Sequence, residues 1–381
     1  MEQSEVQTQE PSRWEQAFSD FKKPEFYPLY LVILSILSSM LFYLPILLKD
    51  TSILFRYWDG PNYLYVARTL YDIPSNHPFT PYGTTPAYFA CHLPLYPLLI
   101  RLLATFFGYL SAMLTVTLFC TGVATVLFYE LLRETKAVVS PFWSALVSLY
   151  LPIRWMIYHS VGATEPLFLT LVFGSMLCFL RKRYALAFAL CGLSSATRIV
   201  GVLFGLAYLL LLLHQKRWKL LPLLAIIPIP LLATFSFYAW RFGDFWAYFK
   251  WNSKLLHMMP LEILNAYAGN NNTQHAELYL VMYLVYGTGV LLLWRWPVFF
   301  WYSLVFYVFN LFIFHEDLSR YYIPIAPFVL VLAYDKVLST RAFKLMLPLL
   351  IAGVYMYSWP LVQANILVEG VWTELLKVLQ S

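Results

Sequence analysis

Asp59 lies in Arg56-Tyr57-Trp58-Asp59-Gly60-Pro61-Asn62-Tyr63-Leu64, just past the first hydrophobic stretch and directly before a Gly-Pro that favours a helix start. A carboxylate at a membrane surface is suited to act as general base on an acceptor hydroxyl, because a lipid-borne donor and its acceptor meet there. Trp58 beside it is expected to shape the pocket and limit water around the carboxylate, which raises its basicity. A plainer role is open as well, since an Asp before Gly-Pro caps a helix running through Tyr65 and Arg68. Both roles can coexist.

Three further charges stand at the borders of apolar stretches. Glu165, in Val161-Gly162-Ala163-Thr164-Glu165-Pro166, opens one of them, and Thr164 or Glu165 with Pro166 would also cap a helix there. Arg198, in Ser195-Ala196-Thr197-Arg198-Ile199-Val200-Gly201, falls between two such stretches, where an uncompensated charge costs a few kcal/mol. It requires a partner: a carboxylate such as Glu165, or a phosphate, which guanidinium binds through paired hydrogen bonds. Arg320, in His315-Glu316-Asp317-Leu318-Ser319-Arg320-Tyr321-Tyr322-Ile323-Pro324, has the same choice, or is simply a charge on a short loop. His77, His92, His159, His257 and His315 have no metal-ligand spacing, so no metal is expected; each reads as an interfacial hydrogen-bonding residue, and His92 is retained as a substrate-site candidate.

Composition fixes the medium in which these groups must be placed. The 381 residues are 60% hydrophobic and 12% charged, with mean hydropathy +0.64, whereas soluble chains are about 25% charged. The pattern is that of an all-α integral membrane protein of about 11 spans. The first, Leu29 to Leu48, follows a leader (1–28) without the features of a cleaved signal peptide and reads as a signal anchor. Cys91, Cys120, Cys178 and Cys191 lack CxxC spacing, and the net charge of +6 fits basic cytoplasmic loops more simply than an anionic partner; no nucleic acid is implied.

The basic clusters Arg133/Lys136, Arg181-Lys182-Arg183, Lys216-Arg217/Lys219 and Lys336/Arg341/Lys344 set an orientation under the positive-inside rule. With all four cytoplasmic, the leader is inside and 49–109 forms a large outer loop, in which Leu93 to Phe107 lies along the interface as an amphipathic helix. Spans are expected near 110–132, 141–158, 166–180, 184–196, 198–213 and 219–240, then an outer loop at 241–277, then 278–294, 297–314, 321–335 and 345–360. A single membrane domain thus covers 29–360, followed by an amphipathic tail at 361–381. This threading brings Asp59, Glu165, Arg198, the 241–277 loop and the His315–Arg320 connection to one face, as a single active site requires.

No Walker A sequence, GxGxxG or DxD pair is present, which disfavours a soluble nucleotide donor. A lipid-phosphate donor needs none of them, since arginines hold its phosphate and the spans its tail.

Several segments together resemble the polytopic glycosyltransferases of the GT-C superfamily, specifically the PIG-V-like family of the second GPI mannosyltransferase and its prokaryotic relatives. They are Trp58-Asp59-Gly60 with Tyr63-Leu64 and Ala67; Pro94-Leu95-Tyr96-Pro97 through Leu103; Thr164-Glu165 with Leu167-Phe168; Thr197-Arg198 with Gly201; Gly243-Asp244 with Trp246-Ala247 and Phe249; and Arg320-Tyr321 with Pro324. The similarity runs almost end to end and is carried by the combination. It implies a multi-pass protein of the plasma membrane in a prokaryote, or of the endoplasmic reticulum in a eukaryote. It also implies metal-independent, inverting transfer of a sugar, most simply mannose, from a polyprenyl- or dolichyl-phosphate donor to a glycolipid, glycan or protein acceptor at the outer or lumenal face. Asp59 is then the base, Arg198 and Arg320 face the departing phosphate, Glu165 orients the acceptor or an arginine, and Trp58 and His92 complete the substrate site.

A lipid or sugar flippase and a catalytically silent scaffold holding a partner subunit are the alternatives. The first would favour internal repeats, which the chain lacks; the second would use the aromatic residues, 19% of the chain, that otherwise form interfacial belts. Asn271-Asn272-Thr273 would be a glycosylation site in a host with an endoplasmic reticulum.

Overall fold

The computed structural model describes residues 24–252 and 255–380, so most of the expected leader lies outside the described residues. Helix makes up 75% of the structure and no strand occurs among the described residues. The principal helices are α1 (Tyr27–Leu47), α2 (Gly60–Thr69), α3 (Leu95–Thr135), α4 (Glu165–Leu180), α5 (Tyr184–Ser195) and α6 (Gly201–His214). They continue with α7 (Ile229–Phe242), α8 (Thr273–Leu292), α9 (Pro297–Asn310), α10 (Arg341–Ala364) and α11 (Glu369–Gln380).

Among the described residues five segments are long and apolar enough to cross a membrane: Pro24–Leu47, Leu95–Thr135, Trp218–Phe242, Thr273–Arg295 and Arg341–Ala364. The molecule is a membrane protein. α4, α5, α6 and α9 are apolar but shorter. Fewer helices reach spanning length than the sequence pattern leads one to expect: α4, α5, α6 and α9 have only 16, 12, 14 and 14 residues, and two further apolar stretches are interrupted near proline, which lacks an amide donor and clashes with the preceding turn. The stretch 141–158 is split into Pro141–Val147 and Trp155–Tyr158, with Pro152 between them. Likewise 321–335 is split around Pro324 and Pro327 into Leu318–Tyr321, Pro327–Leu332 and Asp335–Leu338.

Burial is inverted relative to a soluble protein. α1 exposes Leu29, Ile33, Leu37, Leu41 and Leu44 and buries Ser35, Ser38 and Ser39, as expected where hydrocarbon is the surround and small or polar side chains join the helices. Ser39 Oγ lies 2.9 Å from Ser160 Oγ, Ser38 Oγ lies 3.2 Å from the Tyr355 hydroxyl, and Thr121 donates to the His159 carbonyl at 3.0 Å. α3 breaks at Gly108 (φ +74°, ψ 160°), a backbone open to glycine alone, which separates its first turns from the helix that packs on α1 and α4.

Two buried clusters fill the interior. The larger contains Tyr158, Phe168, Val172 and Tyr322; the smaller contains Tyr63, Tyr65, Tyr96, Tyr248 and Trp372. They meet along α4, where Leu167 and Leu171 belong to the smaller cluster and Phe168 and Val172 to the larger. Residues 241–277, expected as a loop, contain the helices Ala247–Asn252 and Glu262–Gly269. They are pinned to the segment leading to Arg320 by the His257 amide donating to Phe312 (3.0 Å) and the Phe314 amide donating to Leu255 (3.0 Å). The tail is no separate appendage: α10 continues through Pro360 to Ala364, and α11 packs on α2.

Candidate active site

Four charges from four separated segments meet at the junction of the two clusters. Asp59 precedes α2 but makes no capping bond with its side chain, so the cap reading fails. Its Oδ2 instead accepts from Arg320 Nη2 at 3.0 Å. Glu165, the first residue of α4, makes no cap either: its Oε1 accepts from Arg198 Nη1 at 2.6 Å and from Arg320 Nε at 2.7 Å. Arg320 therefore bridges the two carboxylates, and Arg198 has the carboxylate partner that its apolar setting demands.

The bridge is itself held in place. Arg320 lies over the face of Tyr158, 4.6 Å from the ring centroid, a cation–π contact strengthened by exclusion of water. The Tyr158 hydroxyl donates to Asp317 at 3.1 Å, and Asp317 pairs with Arg154 at 2.5 Å. This support shell was not foreseen from the sequence, since Arg154 and Asp317 are distant along the chain.

The two carboxylates differ in access. The Asp59 side chain is 27% exposed and that of Glu165 only 1%, so Asp59 alone is placed to meet a substrate. Burial pushes the Asp59 carboxyl up, but Arg320 and the nearby His92 outweigh it and hold the group well below the ordinary carboxylate range. His92 Nε2 stands 3.9 Å from Asp59 Oδ1, too far for a hydrogen bond, and its ring meets Tyr63 edge-on with centroids 5.0 Å apart.

Asp59, Arg198 and Arg320 line a cavity of about 230 Å³, with Tyr63, Cys91, Tyr248, Asn252 and Tyr321 among its walls. Trp58 does not line it. That residue sits at a left-handed turn (φ +48°) and its ring packs on the larger cluster, so shielding of Asp59 falls to Tyr63, Tyr248 and Tyr321. The four-residue spacing between Asp59 and Tyr63 was a signal for the first of these, since it is one helical turn; Asn252 had none. Glu165 and His92 are not among the residues that line the cavity. Among the described residues, Arg198 Nε and His92 Nδ1 are buried without a hydrogen-bond partner. A buried donor left unpaired costs about 1–3 kcal/mol.

A second, almost wholly apolar groove of about 660 Å³ adjoins the first. Ile199, Val200, Phe249, Leu256 and Phe309 serve as walls of both, and the groove is extended by Leu203 and Leu206 of α6, Leu231 of α7 and Leu224 of the intervening segment Trp218–Ile226. Polar cavity and apolar groove form one continuous surface.

None of the protein-family models, curated proteins or solved structures compared with this chain matches it.

Proposed function

We propose that this protein is a GT-C-like, multi-pass membrane glycosyltransferase that moves a sugar, most simply mannose, from a polyprenyl- or dolichyl-phosphate donor to an acceptor hydroxyl. One observation carries the reading: a substrate-accessible carboxylate and two arginines converge where a polar cavity opens into an apolar groove. An amphiphile with an anionic head and a long hydrocarbon tail has that shape and polarity.

The chemistry follows from the groups present. Asp59 takes the proton of the acceptor hydroxyl as its oxygen attacks the anomeric carbon. The bond from that carbon to the phosphate oxygen breaks, the electron pair leaves with the lipid phosphate, and Arg198 and Arg320 compensate its charge. Attack opposite the leaving group inverts the anomeric centre. The cluster of two carboxylates and two guanidiniums is neutral before substrate enters. A bound phosphate therefore competes with Asp59 for Arg320, and any transfer of Arg320 to the phosphate returns basicity to Asp59 when it is needed.

The test is transfer of radiolabelled mannose from polyprenyl-phosphate mannose into the lipid and glycan fractions by membranes containing the wild-type protein. Label in an acceptor supports the reading. Folded protein that transfers no hexose from any polyprenyl-phosphate donor overturns it, and movement of intact donor across vesicle membranes would identify a flippase instead.

A further inference from the structure

The segment after α10 makes a set of contacts that no reaction step uses. The Trp58 amide donates to the Asn365 carbonyl at 3.0 Å and the Leu367 amide to the Arg56 carbonyl at 2.9 Å, a short antiparallel bridge between Tyr57 and Ile366. Arg56, buried although charged, donates to the Leu367 carbonyl through Nε (2.9 Å) and Nη2 (2.6 Å), and to Glu369 through Nη1 (2.6 Å). At the far end of α2, Arg68 Nε donates to the Val378 carbonyl at 3.1 Å. Between these ties α11 buries Val371, Trp372 and Leu375 in the cluster that holds Tyr63 and Tyr65.

The residue directly before Asp59 thus has a left-handed backbone whose amide is fixed by the tail. Such a conformation persists only where its surroundings hold it. α2 is gripped at both ends by the same segment. We infer that residues 365–380 are a strap that positions Asp59: Arg56 and the backbone of Asn365 and Leu367 act on the reaction through α2, without touching substrate. The inference rests on Asp59 as the base of the proposed transfer. It assigns the tail a mechanical role within the site.

The test uses the full-length protein in lipid nanodiscs. Leu367→Pro deletes the amide that bonds Arg56, and Arg56→Lys keeps the charge for Glu369 while giving up the forked grip on the Leu367 carbonyl. Hydrogen exchange should rise in peptides covering 57–69 and hold steady in those covering α4 and α6. In the transfer assay kcat should fall by about 10- to 100-fold for Leu367→Pro, as misplacement of a reacting group by an ångström or so produces. Donor KM should change less than about twofold, with Arg56→Lys intermediate in kcat. Unchanged exchange at 57–69 in both variants, or raised exchange with unchanged kcat, would overturn the strap. If wild-type protein transfers no sugar, the proposed reaction fails, and the exchange measurement alone then decides whether the tail fixes α2.

Discussion

Asp59 and Glu165 share one arginine but face opposite demands, one to react and the other to stay in place. Glu165 is buried and holds two guanidiniums, and breaking such a pair costs about 3–5 kcal/mol because charge is stranded without a partner. Glu165→Gln should therefore lower the unfolding temperature in detergent far more than Asp59→Asn, which leaves Arg320 its bond to Glu165; equal shifts would contradict the anchoring role. The pH behaviour of Asp59 has a definite sign. Its pKa is depressed, so its ionised form and the stability it contributes are fully present above the unfolded value and are lost only as pH falls through the lower folded value. Arg320→Met removes the main opposing cation and leaves burial to act, so the acid limb of kcat/KM should move to higher pH by about one unit or more. An unmoved limb would show that Arg320 does not set the basicity of Asp59. The need of Arg198 for an anionic partner, carboxylate or phosphate, was legible in the sequence, since an apolar neighbourhood disfavours a lone charge; that Glu165 fills that place is seen only in the fold. Trp58 is absent from the cavity lining because the chain turns left-handed there, which adjacency in sequence does not reveal.

At the scale of elements, each charge reaches the site from the end of a helix or from a short connection, and the connections must be tight. Gly201 opens α6 three residues after Arg198, and a Cβ there would stand 2.4 Å from the Ser195 amide nitrogen and 2.7 Å from the Ser194 carbonyl carbon. Backbone cannot yield as a flexible side chain does, so Gly201→Ala should cost about 1–3 kcal/mol and raise donor KM by displacing Arg198. Gly353, inside α10 with nothing near its would-be Cβ, is the control: Gly353→Ala should leave donor KM unchanged and stabilise slightly. Similar losses in both variants would show that crowding at the Arg198 turn is not the cause. The positions of helices such as α1 and α8 could be read from hydropathy. The breaks near Pro152 and Pro324 could not be read from average hydropathy, which ignores where proline interrupts the backbone. The docking of the tail left little trace in the sequence, since much of it rests on backbone groups that every residue carries.

For the whole molecule, the decisive feature is the joining of a polar cavity to an apolar groove, which predicts how rate depends on donor chain length. Leu206 lines the groove and not the polar cavity. Leu206→Trp should reduce kcat/KM for long-chain polyprenyl-phosphate sugars by about tenfold or more while sparing donors with a two-isoprene tail, since each buried methylene is worth about 0.8 kcal/mol. Equal effects on both donors would separate the groove from the donor. Convergence of distant charges on one site was anticipated from the threading of basic loops, whereas the groove was not, because its walls are the residues that any membrane helix presents. Asp59 is the group on which the proposed reaction turns. Purified wild-type protein and Asp59→Asn, with matched unfolding temperatures, should be compared for sugar transfer from polyprenyl-phosphate mannose. A fall of about 10²-fold or more in kcat is predicted for loss of a general base; transfer by Asp59→Asn at the wild-type rate would contradict it.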